Sequence, residues 1–160
     1  MLNINVITVG KLKESYLRDA CAEYEKRLGA YSTIKVIELA ESRLPDSPSQ
    51  KEIANALENE ADMILKKITP QSAVIAMCIE GKMMSSEDFS HKLEGFALEG
   101  KSTVNLIIGS SYGLSDRGDI CLSVMRSPFP VIPSTNISNL QFTEKCKSSA
   151  NRRSFVYSYL

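Results

Sequence analysis

Thr103-Val-Asn-Leu-Ile-Ile-Gly109-Ser-Ser-Tyr-Gly113-Leu-Ser-Asp116 is an apolar run that stops at a glycine-rich turn. An open α/β sheet places its ligand site beyond the carboxyl ends of its strands, and this is the clearest such end in the chain. Three earlier runs read as strands too. Asn3–Val9 is β-branched and closes at Gly10, and Thr33–Leu39 alternates in part. Ser72–Ile79 is continuously apolar, the pattern of a central strand covered on both faces, and Glu80-Gly81-Lys82 is expected to break it.

Helical patterns fill the intervals. Tyr16, Leu17, Ala20, Tyr24, Arg27 and Leu28 hold helical spacing before Gly29. After a Pro/Ser-rich loop, Ser49 is a natural N-cap for a helix whose apolar face is Ile53, Leu57, Ala61, Ile64 and Leu65. Glu52, Glu58, Glu60 and Asp62 interleave with that face, and Pro70 is expected to end the helix. Ser85–Asp88 supplies a cap and early acidic residues for a third helix through Phe89, Leu93 and Phe96 to Gly100. The β-α-β-α-β-α-β order predicts an α/β fold, a largely parallel sheet with helices on both faces. Asp119–Ser123 offers a further short strand.

The totals restrict function. A chain of 160 residues with 43% hydrophobic content suits a single globular domain. Lys+Arg and Asp+Glu both number 19, so no bulk charge draws the molecule to nucleic acid or membrane, and RNA binding requires a local patch. Cys21, Cys78, Cys121 and Cys146 are scattered and His91 is the sole histidine, so neither a metal site nor a disulfide framework is expected. No secretory leader or membrane-length apolar run is visible, which predicts a cytoplasmic protein.

The glycines of Gly109–Gly113 permit positive φ and close backbone approach to a polar cofactor; the plainer alternative is a strand-to-helix turn. Neither G-x-G-x-x-G nor G-x-x-x-x-G-K-[ST] occurs. The spacing of G-x-S-x-G is met, but His91 falls on a different predicted helix, so a serine hydrolase lacks its base. Asp116 and Asp119 read as turn or cap residues.

Gly10-Lys-Leu-Lys-Glu14, Glu23-Tyr-Glu-Lys-Arg-Leu28, Glu80-Gly-Lys82 with Ser85-Ser86, and Ile107-Ile-Gly109 through Gly113-Leu-Ser115 occur in an order that resembles the ribosomal RNA large subunit methyltransferase H family, over residues 3–130. The resemblance implies a SPOUT-like α/β knot and a homodimer in the bacterial cytoplasm. It implies transfer of a methyl group from S-adenosylmethionine to N3 of a pseudouridine in large-subunit ribosomal RNA. It also assigns residues: Met77 as the apolar cofactor contact at the end of the third strand, and Gly109 as the glycine opening the knot loop. Val124, Met125, Arg126, Ser127, Pro128 and Phe129 fall where the second cofactor loop lies, and Phe129-Pro130 matches a Phe-Pro of the family. It assigns no catalytic residue. A sulfonium donor requires little acid–base machinery, so the lack of a triad is compatible with this chemistry.

The chain also departs from the family. Gly113-Leu-Ser-Asp116 runs directly into Arg117-Gly-Asp119, where the family has about one more helical turn. Residues 131–160 form a separate segment rich in Ser and Asn, with Lys145, Lys147, Arg152 and Arg153 against Glu144. The family instead continues with His-Gln and a long amphipathic helix. Degenerate codons for Pro133–Asn139, read one base later, allow His-Gln-Leu-Ile-Phe-Arg-Ile, so a frameshifted reading accounts for this segment; a disordered basic tail is the other account. The alternative to an active enzyme is an inactive remnant that keeps weak RNA or cofactor binding.

Overall fold

The computed structural model describes residues 1–115 and 124–126, and within β3 and β5 the backbone alone for Ile79, Glu80, Lys82 and Val124–Arg126. Five strands, β1 (Leu2–Val9), β2 (Ser32–Leu39), β3 (Ala73–Met83), β4 (Thr103–Ile108) and β5 (Val124–Arg126), make one sheet in the order β2-β1-β4-β3-β5. Every pairing is parallel, as the βαβ rhythm requires. Helices α1 (Ser15–Leu28), α2 (Gln50–Leu65) and α3 (Ser86–Leu98) connect the first four strands.

Parity divides the sheet residues between two faces. Ile7, Val9, Leu39, Val74, Ala76 and Ile107 point to one side and form the main core with Ala61 and Ile64 of α2. Ala73, Ile75 and Val104 point to the other, where Phe89, Leu93 and Phe96 of α3 cover them. Consecutive residues of β3 are therefore buried on opposite faces, which is why its sequence shows no polar alternation. The α/β fold with helices on both faces is present as expected.

α2 begins with a capping box. Ser49 Oγ accepts from the Glu52 backbone N–H at 3.3 Å, and the Glu52 carboxylate accepts from the Ser49 backbone N–H at 2.8 Å. The Ser49 hydroxyl also donates to Glu52 Oε2 at 2.7 Å, and these donors hold that carboxyl below its ordinary value. Ser85 caps α3 by accepting from the Asp88 backbone N–H. Pro70 does not itself terminate α2, which ends at Leu65 and unwinds through the bonds of Lys67 N–H to Ile64 O and Ile68 N–H to Leu65 O.

One other expectation is corrected. Glu80-Gly81-Lys82 does not end the third strand: β3 runs on to Met83, and Met125 of β5 is in register with both Met77 and Lys82. Residues 78–81 are thus left out of the β3–β5 ladder, so the glycine marks a bulge rather than a turn. The helix expected from the spacing of Tyr16 to Leu28 is present as α1, with few of its apolar residues covered. Leu17, Cys21 and Glu25 form the half-covered stripe, while Tyr16, Tyr24 and Leu28 are exposed. α1 packs beside β2, an edge strand, and there is little sheet surface at an edge to cover a whole helix face. The strand offered for Asp119–Ser123, and the segment that would close a knot, lie outside the described residues.

Candidate functional site

β4 ends at Ile108, and the next five residues fold into a closed reverse turn. Ser110 N–H donates to Gly113 O at 3.2 Å and Gly113 N–H donates to Ser110 O at 2.9 Å, with Ser111 and Tyr112 at the tip. Gly113 has φ +95°, a conformation that costs an L-residue strain. Gly109 is needed for a different reason. A Cβ there would sit 2.3 Å from Gly113 O, so the turn closes only because position 109 has no side chain. The turn that forms is closed on itself by these two main-chain bonds.

Two serine–carboxylate bonds tie the turn and the residues after it to their neighbours, and a third carboxylate holds the β2–α2 loop. Ser111 Oγ donates to Glu41 Oε1 at 2.9 Å, joining the loop after β4 to the loop after β2. Ser115 Oγ donates to Glu58 Oε1 of α2 at 2.7 Å. Glu60 Oε1 accepts from the Ser42 backbone N–H at 2.8 Å, while Ser42 Oγ donates to Ala56 O at 3.3 Å. The middle of α2 thereby forms a wall at the carboxyl edge of the sheet. Leu114 follows the turn down into the core beneath α2.

On the other side of β4, Met77 of β3 stands level with Ile108 and with Met125 of β5. Met77 is half-buried and packs with Leu106 in the clusters on the α3 side of the sheet. The structure thus aligns Met77, the residue preceding Gly109, and Met125 across three adjacent strands. Val124 and Arg126 belong to the same short strand β5. Ser127, Pro128 and Phe129 lie outside the described residues.

The β1–α1 loop leaves the same edge. Gly10, with φ +99°, donates its N–H to Leu39 O at 2.9 Å, and Arg18 Nη1 donates to the carbonyls of Leu12 and Lys13 at 2.9 and 2.8 Å. Lys11 and Lys13 are exposed on this clamped loop. Among the described residues no group of histidine, cysteine and carboxylates could hold a metal. Cys21 and Cys78 are half-buried, and Cys121 and Cys146 lie outside the described residues. His91 is exposed on α3 with Nδ1 3.7 Å from Glu94 Oε2, and Ser111 is bonded to a carboxylate, so the serine-hydrolase spacing brings no base with it. No described helix is long and apolar enough to cross a membrane.

Glu41, Glu58 and Glu60 were not legible as part of this edge. Glu60 carried one signal: it lies three residues after Leu57, on the inward side of α2, and it is 3% exposed rather than solvated as its interleaved position suggested.

The chain matches, over residues 2–123, the family described as "Predicted SPOUT methyltransferase". It is 46% identical over 133 residues to the "Ribosomal RNA large subunit methyltransferase H" of Bacillus pumilus, spanning 81% of this chain and 84% of that protein. The protein of the same name from Exiguobacterium is 42% identical over 133 residues with the same coverage. That of Streptococcus suis is 47% identical over 113 residues, 71% of each chain. With a parallel sheet that ends in a glycine turn, and with similarity of this extent, the chain belongs to the SPOUT methyltransferases and, within them, to the ribosomal RNA large subunit methyltransferase H family.

Proposed function

We propose that the chain transfers the methyl group of S-adenosylmethionine to N3 of a pseudouridine in large-subunit ribosomal RNA. The observation that carries this reading is the level alignment of Met77, Ile108 and Met125 beside the closed Gly109–Gly113 turn, set in a chain of this family. The residues fit such a cofactor. Met77 and Ile108 offer an apolar floor for an adenosyl group, and the Ser110–Gly113 turn presents main chain without bulky side chains at its ends. Met77, Gly109 and the run Val124, Met125, Arg126, Ser127, Pro128 and Phe129 would hold it. The bound cofactor supplies an electrophilic methyl group on a sulfonium centre. The protein's own part is to hold that methyl in line with the acceptor nitrogen and to keep water away.

The partner is large-subunit ribosomal RNA within the ribosome, and the chain works as a homodimer in the cytoplasm. The exposed Tyr16, Tyr24 and Leu28 of α1 supply apolar surface compatible with self-association. Titration calorimetry of the full chain with S-adenosylmethionine, followed by transfer of labelled methyl to ribosomes lacking the modification, tests the reading. Saturable binding and one labelled pseudouridine per large subunit are expected. Absence of saturable heat at millimolar cofactor would overturn it and leave the inactive remnant.

A further inference from the structure

We infer that Glu60, Glu41 and Ser111 act as one brace that positions the Gly109–Gly113 turn for the cofactor, with Glu60 a positioning residue that reaches the turn through the β2–α2 loop. This inference rests on the function proposed above. The links run in sequence: Glu60 Oε1 to the Ser42 backbone N–H at 2.8 Å, Ser42 to its chain neighbour Glu41, and Glu41 Oε1 to Ser111 Oγ at 2.9 Å. Ser115 to Glu58 at 2.7 Å adds a second tie between the turn and α2, two residues from Glu60 along the helix.

Two features argue that this chain of contacts has a positioning role rather than only a stabilising one. First, Glu60 is 3% exposed on a helix whose inward neighbours are Ala56, Leu57, Ala61 and Ile64, and its Oε2 is buried with no hydrogen-bond partner among the described residues. Burying a carboxylate with one oxygen unsatisfied costs stability, and an aliphatic side chain would avoid that cost. Departures of this kind from the packing rule concentrate where function requires them. Second, the hydrogen bond to Glu60 Oε1 comes from a backbone N–H, so it sets the position of a loop rather than the rotamer of a neighbour. That loop carries Glu41, which crosses the end of β1 to reach the turn after β4.

The test is amide hydrogen exchange of Ser110–Gly113 together with the S-adenosylmethionine Kd, on the full chain. Glu60→Leu is expected to speed exchange in the turn about tenfold and to raise Kd about fivefold, the size of one lost charge-assisted bond. Glu60 does not touch Ser111, so the decisive comparison is a cycle of Glu60→Leu with Glu41→Ala. Once Glu41 is removed, Glu60→Leu is expected to have no further effect on the turn. Glu41→Gln, which keeps an acceptor for Ser111, restores the parent values. Additive effects of Glu60→Leu and Glu41→Ala, or turn exchange unchanged in either, would overturn the brace. Should Glu60→Leu not fold, the cycle of Glu41→Ala with Ser111→Ala decides on the same criterion. Exchange is read without ligand, so a wild-type chain that binds no cofactor refutes the proposed function, whereas an unchanged turn refutes the brace.

Discussion

Asn5 donates its side-chain amide to Asn105 Oδ1 at 2.9 Å, joining β1 to β4 through a polar bond in the middle of the sheet. Asn105 is fully buried, and its own amide donates to Ser72 Oγ at 2.6 Å, which extends the line to the start of β3. A one-residue slip between these strands would turn one asparagine onto the opposite face of the sheet from the other, so the pair helps specify register. Asn5→Ala leaves a buried acceptor without its partner and is expected to cost roughly 1–3 kcal/mol, as is Asn105→Ala. The double variant should be less destabilised than the sum of the two by about 1 kcal/mol. Urea unfolding of the four proteins measures both quantities, and strict additivity would show that the pair is not coupled.

Gly109→Ala is expected to destabilise the fold by roughly 2–4 kcal/mol, because the added Cβ would meet backbone at 2.3 Å and backbone cannot swing aside as a side chain can. Gly10→Ala is the control. Its φ of +99° imposes strain but nothing lies within 4 Å of the new Cβ, so a smaller loss, about 1–2 kcal/mol, is expected. Thermal unfolding should rank Gly109→Ala well below Gly10→Ala, and a loss at Gly109 no larger than that at Gly10 would show that the turn accommodates the added Cβ.

The acid limb of stability should carry the mark of the α2 capping box. Glu52 is held below its ordinary value of 4.5, first by the Ser49 hydroxyl and then by the Ser49 backbone N–H. A carboxyl lowered in the folded state stabilises the protein above the unfolded value and loses that contribution as pH falls through the folded one. Ser49→Ala removes the larger cause. The wild-type advantage over Ser49→Ala in urea midpoint is therefore expected to be constant at neutral pH and to shrink below the ordinary carboxyl range. A gap that widened toward acid would contradict this assignment.

Most of the fold was written in periodicity, and the failures have physical causes. The β-branched runs and the caps Ser49 and Ser85 found the strands and helix starts because these signals are local. Spacing says which residues of α1 share a face, but not whether any surface covers that face, and Tyr16 and Tyr24 are exposed. Gly81 was ambiguous because a glycine serves a turn and a bulge equally well, and β5 decides between them by pairing with Met83. The carboxylates that tie down the segment after β4 lie 70 and 57 residues away from their serine partners, a separation that no local pattern records.

Met77 gives the most direct probe of the proposed cofactor floor. It lies level with Ile108, immediately before the obligatory glycine. Met77→Leu preserves apolar volume and is expected to retain S-adenosylmethionine affinity within a fewfold. Met77→Glu would place a carboxylate among Leu106, Ile108 and the adenosyl group, and at least a tenfold loss of affinity is expected from that desolvation. Calorimetry of both variants, with far-ultraviolet dichroism confirming the fold, distinguishes them. Equal affinities would remove Met77 from the site.

The nucleotide sequence beneath residues 131–160 is itself a measurement. The family match ends at residue 123, and the similarity to the Bacillus and Exiguobacterium proteins spans 81% of the chain. Beyond it the residues turn to Ser, Asn and isolated basic side chains, with none of the helical periodicity of α2. We expect codons 133–139, read one base later, to encode His-Gln-Leu-Ile-Phe-Arg-Ile, and codons 144–154 to encode Arg-Ser-Ala-Lys-Ala-Leu-Gln-Thr-Gly-Asp-Pro. Every step of both strings is allowed by codon degeneracy for the residues present, but each demands particular third bases, so agreement by chance is improbable. Resequencing the locus decides the matter. A shifted frame lacking these strings would leave the tail as the protein's own, and a variant carrying the restored frame is the one expected to bind cofactor more tightly.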